Sequence, residues 1–307
     1  MSGRTIAGCV LIIVVGTIAA AACALGLGGP LPAATPDELR DSDQQMKTAG
    51  FEVMPAGADS SLPATFNRIH RVYVIGRGRN VPRVILLHEL PGLRDGDIQL
   101  GAALGESFEV YLPLMFGTAR QDDSGLGNRQ ACKSELFKCN DRNTHHPIVE
   151  DLLTMTNQIC RDADCGVIGM CLTGSVPLFL MHADHVAAVV LAQPTLPVVW
   201  HIWPFAGLDI SEEDTAAAMK IAEARKASVY MLRYRGDWIS GHSAFNRLRD
   251  RIAPSRDKLS FFDSTEVKGG SHSTLVHDSK YPDVAHQQVA AVVKALNLRL
   301  RPSVASN

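Results

Sequence analysis

The sequence predicts one α/β domain with a mainly parallel sheet and helices on both faces of that sheet. Its 307 residues, 46% of them hydrophobic and 20% charged, have a globular composition. Short, continuously apolar runs alternate along the chain with segments of helical periodicity. Continuous apolar strands are typical of parallel sheets that are buried on both faces. We place this domain at residues 46–307, a length that one large domain can fill.

The predicted elements follow from these apolar runs and from helical periodicity. The expected strands are Arg71–Ile75, Arg83–Leu87, Phe108–Leu114, Gly166–Met170, Ala187–Leu191, Val229–Tyr234 and Leu259–Phe262. The expected helices are Ile148–Ile159, Leu172–Met181, Ser211–Ala227 and Val284–Leu296. The polar segment Gly117–Asn143 is expected to be a long loop over the carboxyl ends of the strands, where such sheets bind ligands.

The N-terminal residues 1–29 form a hydrophobic leader. The segment Ile6–Leu27 is almost wholly apolar behind Arg4 and is long enough to cross a bilayer, which favours a membrane anchor. The tripeptide Ala22-Cys23-Ala24 instead fits the cleavage site of a signal peptide, and Cys23 also resembles a poor lipoprotein signal. All three alternatives place the domain in the cell envelope, outside the cytoplasm. Residues 30–45, rich in Gly, Pro and Ala without periodicity, are expected to be a linker.

Charge and cysteine content limit the partners of this domain. The chain has 30 Lys and Arg against 32 Asp and Glu without a long basic run, so nucleic-acid binding is not expected. Five cysteines beyond the leader make two close pairs and one odd residue, which suits two short-loop disulfides and a free thiol in an oxidising compartment. The suspected pairs are Cys132 with Cys139 and Cys160 with Cys165, and Cys171 is left over. Zinc at the first pair with His145 and His146 is an alternative, but the spacing does not match the usual ligand patterns.

The most informative stretch surrounds Cys171. A short apolar strand runs into Gly169-Met170-Cys171-Leu172-Thr173-Gly174 and then into an apolar helix, which is the strand–turn–helix pattern of a nucleophile elbow with Cys in place of Ser. Such a turn exposes the side chain above the sheet, and the helix N-terminus favours the thiolate. The alternative is that Cys171 is a small buried residue of the core.

This elbow resembles that of the dienelactone hydrolase family of α/β-hydrolases, which reads G-x-C-x-G-G. Four further segments line up in order: the strand that ends at Glu89, the segment that contains Arg120, the strand that leads to Asp237, and the loop that bears His272. The resemblance spans residues 81–296 and implies the α/β-hydrolase fold. The order nucleophile, acid, histidine is the order of that fold.

The resemblance implies a Cys-His-Asp triad. Cys171 would be the nucleophile, His272 would accept its proton, and Asp237 would orient the imidazole. The backbone N–H groups of Leu90 and Leu172 would form the oxyanion hole. Asp237 is alternatively a turn residue of its Arg-Gly-Asp segment, and His272 a solvated loop residue.

The resemblance also implies two accessory roles and shows two departures. Glu89 would contact the resting thiol and keep it protonated, and Arg120 would be one of two arginines that bind a substrate carboxylate. Thr173 stands where the family has the first Gly of its final pair, so a Cβ must fit in the turn. Val276 replaces the second arginine, so recognition of a carboxylate by two cations is not expected.

Several residues offer alternatives to this triad. His88, His145, His146 and His277 could supply the imidazole. Ser243, in Gly241-His-Ser-Ala-Phe245, could be the nucleophile of a second elbow, although no strand leads into it.

The expected function is hydrolysis of a small ester or lactone through the Cys171 thiolate, with neither a metal nor an organic cofactor. The alternative is a non-catalytic envelope protein that uses the cleft of a hydrolase scaffold for binding. A thiol oxidoreductase is less favoured because Cys165 and Cys171 do not form a C-x-x-C pair. The substrate and the oligomeric state stay open, and membrane contact depends on whether the leader is retained.

Overall fold

The computed structural model describes residues 34–55, 69, 71–90, 92–120, 147–195, 211–276 and 282–301. Within these residues, eight strands form a single sheet. In chain order they are β1 (Glu52–Pro55), β2 (Arg71–Ile75), β3 (Arg83–Leu87), β4 (Glu109–Leu114), β5 (Cys165–Met170), β6 (Val186–Ala192), β7 (Ser228–Tyr234) and β8 (Phe261–Val267). The described α-helices are α1 (Pro36–Thr48), α2 (Asp95–Gly105), α3 (Pro147–Ile159), α4 (Val176–Phe179), α5 (Glu212–Arg225), α6 (His242–Ile252) and α7 (Pro282–Leu300).

The sheet is mixed at one end and parallel over the rest. Its strand order is β1-β2-β4-β3-β5-β6-β7-β8. Strand β2 runs antiparallel to both β1 and β4, whereas the pairs from β4 through β3 to β8 are parallel. The carboxyl ends of the parallel strands therefore meet at one edge, where ligands bind in open α/β sheets.

Two apolar clusters bury the two faces of the sheet. Alternate residues of one strand reach opposite clusters, as Ile85 and Val84 of β3 show. Helices α3, α5 and α6 contribute to the first cluster, and helices α1, α2 and α7 to the second. This arrangement confirms the predicted fold class of a mainly parallel sheet covered on both faces.

Most predicted elements lie within a few residues of those in the structure. The predicted strands Arg71–Ile75 and Arg83–Leu87 match fully. The last strand begins at Phe261 instead of Leu259 and continues to Val267, because its polar, half-buried sequence does not show the apolar run of the inner strands. Strand β1 and helices α2 and α6 were not predicted.

The predicted helix Leu172–Met181 is wrong as a continuous helix. The structure has a 3-10 turn at Cys171–Thr173, the short helix α4, and a second 3-10 turn at Leu180–His182. Pro177 lies in the first turn of α4 and has no N–H to donate to the preceding turn, so the 3-10 turn at Cys171–Thr173 and helix α4 cannot join into one α-helix.

The N-terminal linker prediction is wrong for residues 36–45, which belong to helix α1. Thr35 caps this helix in a capping box with Glu38. The helix then buries Leu39 and Met46 against the sheet. These buried residues are few among polar ones, which is why the segment lacked a clear apolar pattern.

The structure contains the predicted disulfide between Cys160 and Cys165, and Cys171 is a buried free thiol. Cys132, Cys139, the leader at residues 1–29 and most of the loop predicted at Gly117–Asn143 lie outside the described residues. Among the helices that the structure describes, none has the length and apolar character needed to span a membrane.

Candidate active site

Cys171 lies in a tight turn directly after β5. Its φ is +51°, a left-handed conformation that costs energy for a residue with a side chain. A Cβ on Gly169 would collide with the carbonyl oxygen of Thr173, and one on Gly174 would come within 2.5 Å of the Pro194 Cα. Both glycines are therefore required by close approach of the backbone. The strain at Cys171 is held by packing of the turn, as in the elbow predicted from the sequence.

Asp237 and His272 form a directed pair at the ends of β7 and β8. The Nδ1–H of His272 donates to Asp237 Oδ2 at 2.8 Å. The other carboxylate oxygen, Oδ1, accepts from the backbone N–H groups of Ile239 at 2.8 Å and Ser240 at 3.0 Å. Asp237 thus both organises its turn and fixes the imidazole. With Nδ1 protonated, Nε2 is left as the basic nitrogen.

The thiol, the imidazole and a carboxylate converge at this edge of the sheet. The Sγ of Cys171, a ring nitrogen of His272 and a carboxylate oxygen of Glu89 all lie within 4.8 Å of one another. The Nε2 of His272 is buried and forms no hydrogen bond with any part of the chain that the structure describes. The structure therefore brings together Cys171, His272, Asp237 and Glu89, which lie far apart in the sequence.

The electrostatics of the site favour a protonated thiol at rest. Burial raises the pKa of the Cys171 thiol, and the charge of Glu89 raises it further, while the neighbouring His272 acts in the opposite direction. Burial by itself would lower the pKa of His272. A negative charge on the Cys171 sulfur and the hydrogen bond to Asp237 act against burial and raise that pKa well above its ordinary value. Ionisation of the thiol therefore makes His272 more basic, which favours transfer of the thiol proton to the imidazole.

Glu89 is a buried carboxylate, 1% exposed, that follows the end of β3. It accepts a hydrogen bond from the Ser273 hydroxyl at 2.6 Å and forms an ion pair with the guanidinium of Arg94. Gln193 Nε2 lies 3.4 Å from its second oxygen. A buried carboxylate needs such partners, and these three hold Glu89 beside the thiol.

A second buried carboxylate, Asp97, lies behind Arg94. It accepts from the backbone N–H of Arg94 at 2.9 Å, and its side chain lies 3.8 Å from the Arg94 Nε. Burial, followed by the charge of Glu89, raises the pKa of Asp97 to about 7. The guanidinium of Arg94 thus lies beside two buried carboxylates, Glu89 and Asp97, at the start of helix α2.

Sequence reasoning missed the residues that hold the site together. Gln193 adopts a φ of +34° and follows the buried strand β6. Its Oε1 accepts from Thr274 N at 3.3 Å, so it joins the His272 loop to Glu89. Arg233 is buried and donates to the carbonyl of Asp237 at 3.1 Å. A polar residue at the end of an apolar strand was the available signal for both.

Thr173 fits in the turn without a glycine. Its side chain is buried, and its hydroxyl accepts from the Met170 N–H at 3.0 Å. The carbonyl oxygens of Met170 at 3.0 Å and Leu87 at 3.3 Å are both within reach of its one proton. Thr173 does not adopt a positive φ, so its Cβ brings no left-handed strain. In place of the family glycine, Thr173 therefore ties the turn to the end of β5, with the end of β3 close by.

The two predicted substrate-side positions have different surroundings. Arg120 is exposed, with a φ of +61°, and its Nε lies 3.3 Å from Asp95 Oδ1 at the start of α2. Val276 is buried against Gly96, where a Cβ would collide with it. The side chain at position 276 therefore packs against helix α2 and is not exposed to solvent.

The backbone donors predicted for the oxyanion hole flank the site. Leu172 directly follows Cys171, and its N–H lies against the sulfur, where it favours the thiolate. Leu90 directly follows Glu89, at the end of β3. Their function as oxyanion donors stays a prediction.

The rival residues that the structure describes have other environments. His88 is fully buried, with Nδ1 donating to the Glu89 carbonyl at 3.1 Å and Nε2 accepting from Met115 N at 3.2 Å. Burial lowers the pKa of His88 to about 4, so it joins two strand ends as a neutral ring. Ser243 is exposed in the first turn of α6, without a strand that leads into it. His145, His146 and His277 lie outside the described residues.

Comparison with known proteins identifies the fold of this chain. No family model and no curated protein sequence matches it. Among solved structures, an esterase from Pyrococcus furiosus is 12% identical, with a TM-score of 0.52 over 83% of this chain and 95% of that one. A dienelactone hydrolase-like promiscuous phosphotriesterase from metagenomic libraries is 15% identical, with a TM-score of 0.51 over 76% and 95% of the two chains. A carboxylesterase from Bacillus subtilis is 13% identical, with a TM-score of 0.50 over 84% and 99%. At these identities the likeness concerns the fold, and the chain has the α/β-hydrolase fold.

Proposed function

We propose that this protein hydrolyses a small ester or lactone through a thioester on Cys171. The observation that carries the proposal is the left-handed turn that presents Cys171 beside an imidazole whose other nitrogen is bound to Asp237. This combination of nucleophile, base and orienting carboxylate is the general requirement of nucleophilic acyl transfer. The neighbouring solved structures include an esterase and a carboxylesterase, which agrees with this class of reaction.

The proposed reaction has two steps. The Cys171 thiol gives its proton to His272 Nε2 while the sulfur attacks the substrate carbonyl carbon. The N–H groups of Leu90 and Leu172 stabilise the resulting oxyanion, and His272 then protonates the departing alkoxide. In the second step His272 takes a proton from water, the hydroxide attacks the thioester, and the released thiolate recovers the proton. Asp237 stabilises the imidazolium in both steps.

Glu89 controls the resting thiol in this scheme. Its negative charge beside the sulfur disfavours the thiolate before substrate arrives. A substrate that enters the site would separate the two groups and relieve this repulsion. The nucleophile is thereby protected from oxidation and alkylation while the site is empty.

The test compares the wild type with Cys171→Ala on activated short-chain esters and on small lactones. We expect Cys171→Ala to lose hydrolysis, whereas Ser243→Ala, a matched change on an exposed helix turn, keeps it. Equal activity of wild type and Cys171→Ala would refute the mechanism. A wild-type thiol that stays inert to iodoacetamide in the folded protein, with no ester hydrolysed, would favour the alternative of a non-catalytic binding protein.

We also propose that the domain works outside the cytoplasm. The uncharged segment between Arg4 and Asp37 and the Cys160–Cys165 disulfide both suit export into an oxidising compartment. Fractionation of cells that express the full chain tests this. Recovery of the protein with reduced Cys160 and Cys165 in the cytoplasmic fraction would contradict it.

A further inference from the structure

The cluster of Glu89, Cys171 and His272 offers three different donor atoms to one point. An oxygen, a sulfur and a nitrogen lie within 4.8 Å of one another, and Nε2 of His272 is buried without a hydrogen bond among the described residues. Thiolate, imidazole and carboxylate are the ligand types of zinc sites in proteins. We propose that this cluster is a Zn²⁺ site and that the ion reversibly inhibits the hydrolase. The inhibitory consequence rests on the proposed function, whereas the metal site does not.

The geometry requires only small side-chain movements. A tetrahedral Zn²⁺ with ligands at about 2.0 to 2.3 Å holds its donor atoms about 3.3 to 3.6 Å apart. The three donors here are within 4.8 Å of each other, so the cluster must contract by roughly 1 Å. Three protein ligands leave a fourth position for water, the arrangement typical of open zinc sites.

The surrounding hydrogen bonds already orient two of the three ligands. His272 donates its Nδ1–H to Asp237 at 2.8 Å, which leaves Nε2 as the metal-binding nitrogen. A carboxylate behind the ligating histidine is the usual outer partner in zinc sites. Glu89 is held by Ser273 through Oε1, and the long contact with Gln193 leaves its second oxygen weakly engaged.

The charges of the site match a dication. Once the thiol has lost its proton, the two anionic ligands Cys171 and Glu89 carry two negative charges, which one Zn²⁺ neutralises. Binding replaces the thiol S–H bond by an S–Zn bond and releases that proton to solvent, with no change of oxidation state.

The bound ion would stop the proposed reaction at its first step. The ion occupies the sulfur lone pair that attacks the substrate and the nitrogen that accepts the thiol proton. A chelator that removes the ion restores both groups. We therefore expect inhibition by Zn²⁺ that is fully reversed by chelation.

The experiment measures metal binding and activity separately on the full chain. Metal-free protein is dialysed against buffered Zn²⁺ and the bound metal is determined by atomic absorption, with Co²⁺ as a spectroscopic probe of thiolate coordination. Iodoacetamide labelling of Cys171 reports occupancy independently of hydrolysis. The variants are Cys171→Ala, Glu89→Gln and the control Glu109→Gln, a second buried glutamate that binds Tyr111 and Gly78.

We expect one Zn²⁺ per chain that slows labelling of Cys171, at least tenfold weaker binding in Glu89→Gln, and unchanged binding in Glu109→Gln. Zinc retained by Cys171→Ala, or equal affinity in Glu89→Gln, would overturn the proposal. A chain that binds Zn²⁺ through Cys171 but hydrolyses no ester keeps the metal site and refutes the hydrolase. An active enzyme that binds no Zn²⁺ refutes the metal site and keeps the hydrolase.

Discussion

The substitution Asp237→Asn tests the His272–Asp237 pair with little change of shape. An asparagine can keep its Oδ1 as the acceptor for the N–H groups of Ile239 and Ser240. Its amide nitrogen then faces His272 Nδ1, where the wild-type carboxylate accepts a proton. Two donors cannot share that contact, so the imidazole must place its proton on Nε2. The nitrogen that faces Cys171 would then be unable to accept the thiol proton.

The magnitude follows from the lost charge of the carboxylate. Both partners are largely shielded from water, with the Asp237 side chain fully buried and 20% of the His272 side chain exposed. Two unit charges about 4 Å apart at an effective dielectric constant of about 20 interact by about 4 kcal/mol. Loss of that stabilisation from the transition state corresponds to a fall in kcat/KM of about a thousandfold. The change of tautomer adds to this loss.

The assay is kcat/KM on an activated ester across a range of pH, with circular dichroism to check folding. Asp263→Asn is the matched control, because Asp263 also accepts from a neighbouring backbone N–H, at 2.8 Å, but is exposed and lies on β8. We expect the control to retain wild-type activity. A folded Asp237→Asn enzyme whose kcat/KM is within about threefold of the wild-type value would refute the role assigned to this pair, because the carboxylate could then not contribute a factor of about a thousand to the rate.

Three further results are expected. Glu89→Gln removes a negative charge that raises the pKa of Cys171, so iodoacetamide should label the thiol about tenfold faster at neutral pH. An unchanged labelling rate would contradict this electrostatic role of Glu89. Replacing Cys160 and Cys165 by Ser removes a short disulfide loop and should lower the free energy of unfolding, measured in urea, by about 2 kcal/mol. The difference between the wild type and this variant should vanish when both are measured under reducing conditions. Burial raises the pKa of Asp97 from 3.8 to about 7, so between these pH values the folded state holds a proton that the unfolded chain releases. The contribution of Asp97 to the free energy of unfolding therefore falls as the pH rises through that range. Asp97→Asn should flatten the dependence of the free energy of unfolding on pH there, and a slope that persists in the variant would assign it to another group.

Local patterns were sufficient to predict the inner strands and the turn at Cys171. The strands β3, β5 and β6 are continuous apolar runs, so the sequence shows their position within one or two residues. The edge strand β8 is half-buried and polar, and its bounds were missed. Helix α1 was also missed because only a few of its residues contact the core. Among the strands, prediction thus succeeded where both faces are fully buried and was less accurate where burial is partial.

The partners of Glu89 show a different limit. Arg94 is only five residues away, but Gln193 and Ser273 are separated from Glu89 by 104 and 184 positions. Arg94 and Gln193 belong to no recognisable motif, and Ser273 is noticed only as the neighbour of His272. Each could be identified as a site residue only after the strand ends had been brought to one edge of the sheet.

The amino-acid sequence by itself determined the alternation of strands and helices, the mainly parallel class of the sheet, and the tight turn that presents the sulfur of Cys171. These properties depend on neighbours within a few residues, through apolar periodicity, glycine at close contacts and the geometry of one turn. Tertiary structure alone decided which groups hold Glu89 beside the thiol, namely the guanidinium of Arg94, the amide of Gln193 and the hydroxyl of Ser273. Hydrogen bonds and charge interactions act over a few ångströms in space, and folding sets those distances between residues that are up to 184 positions apart in the chain.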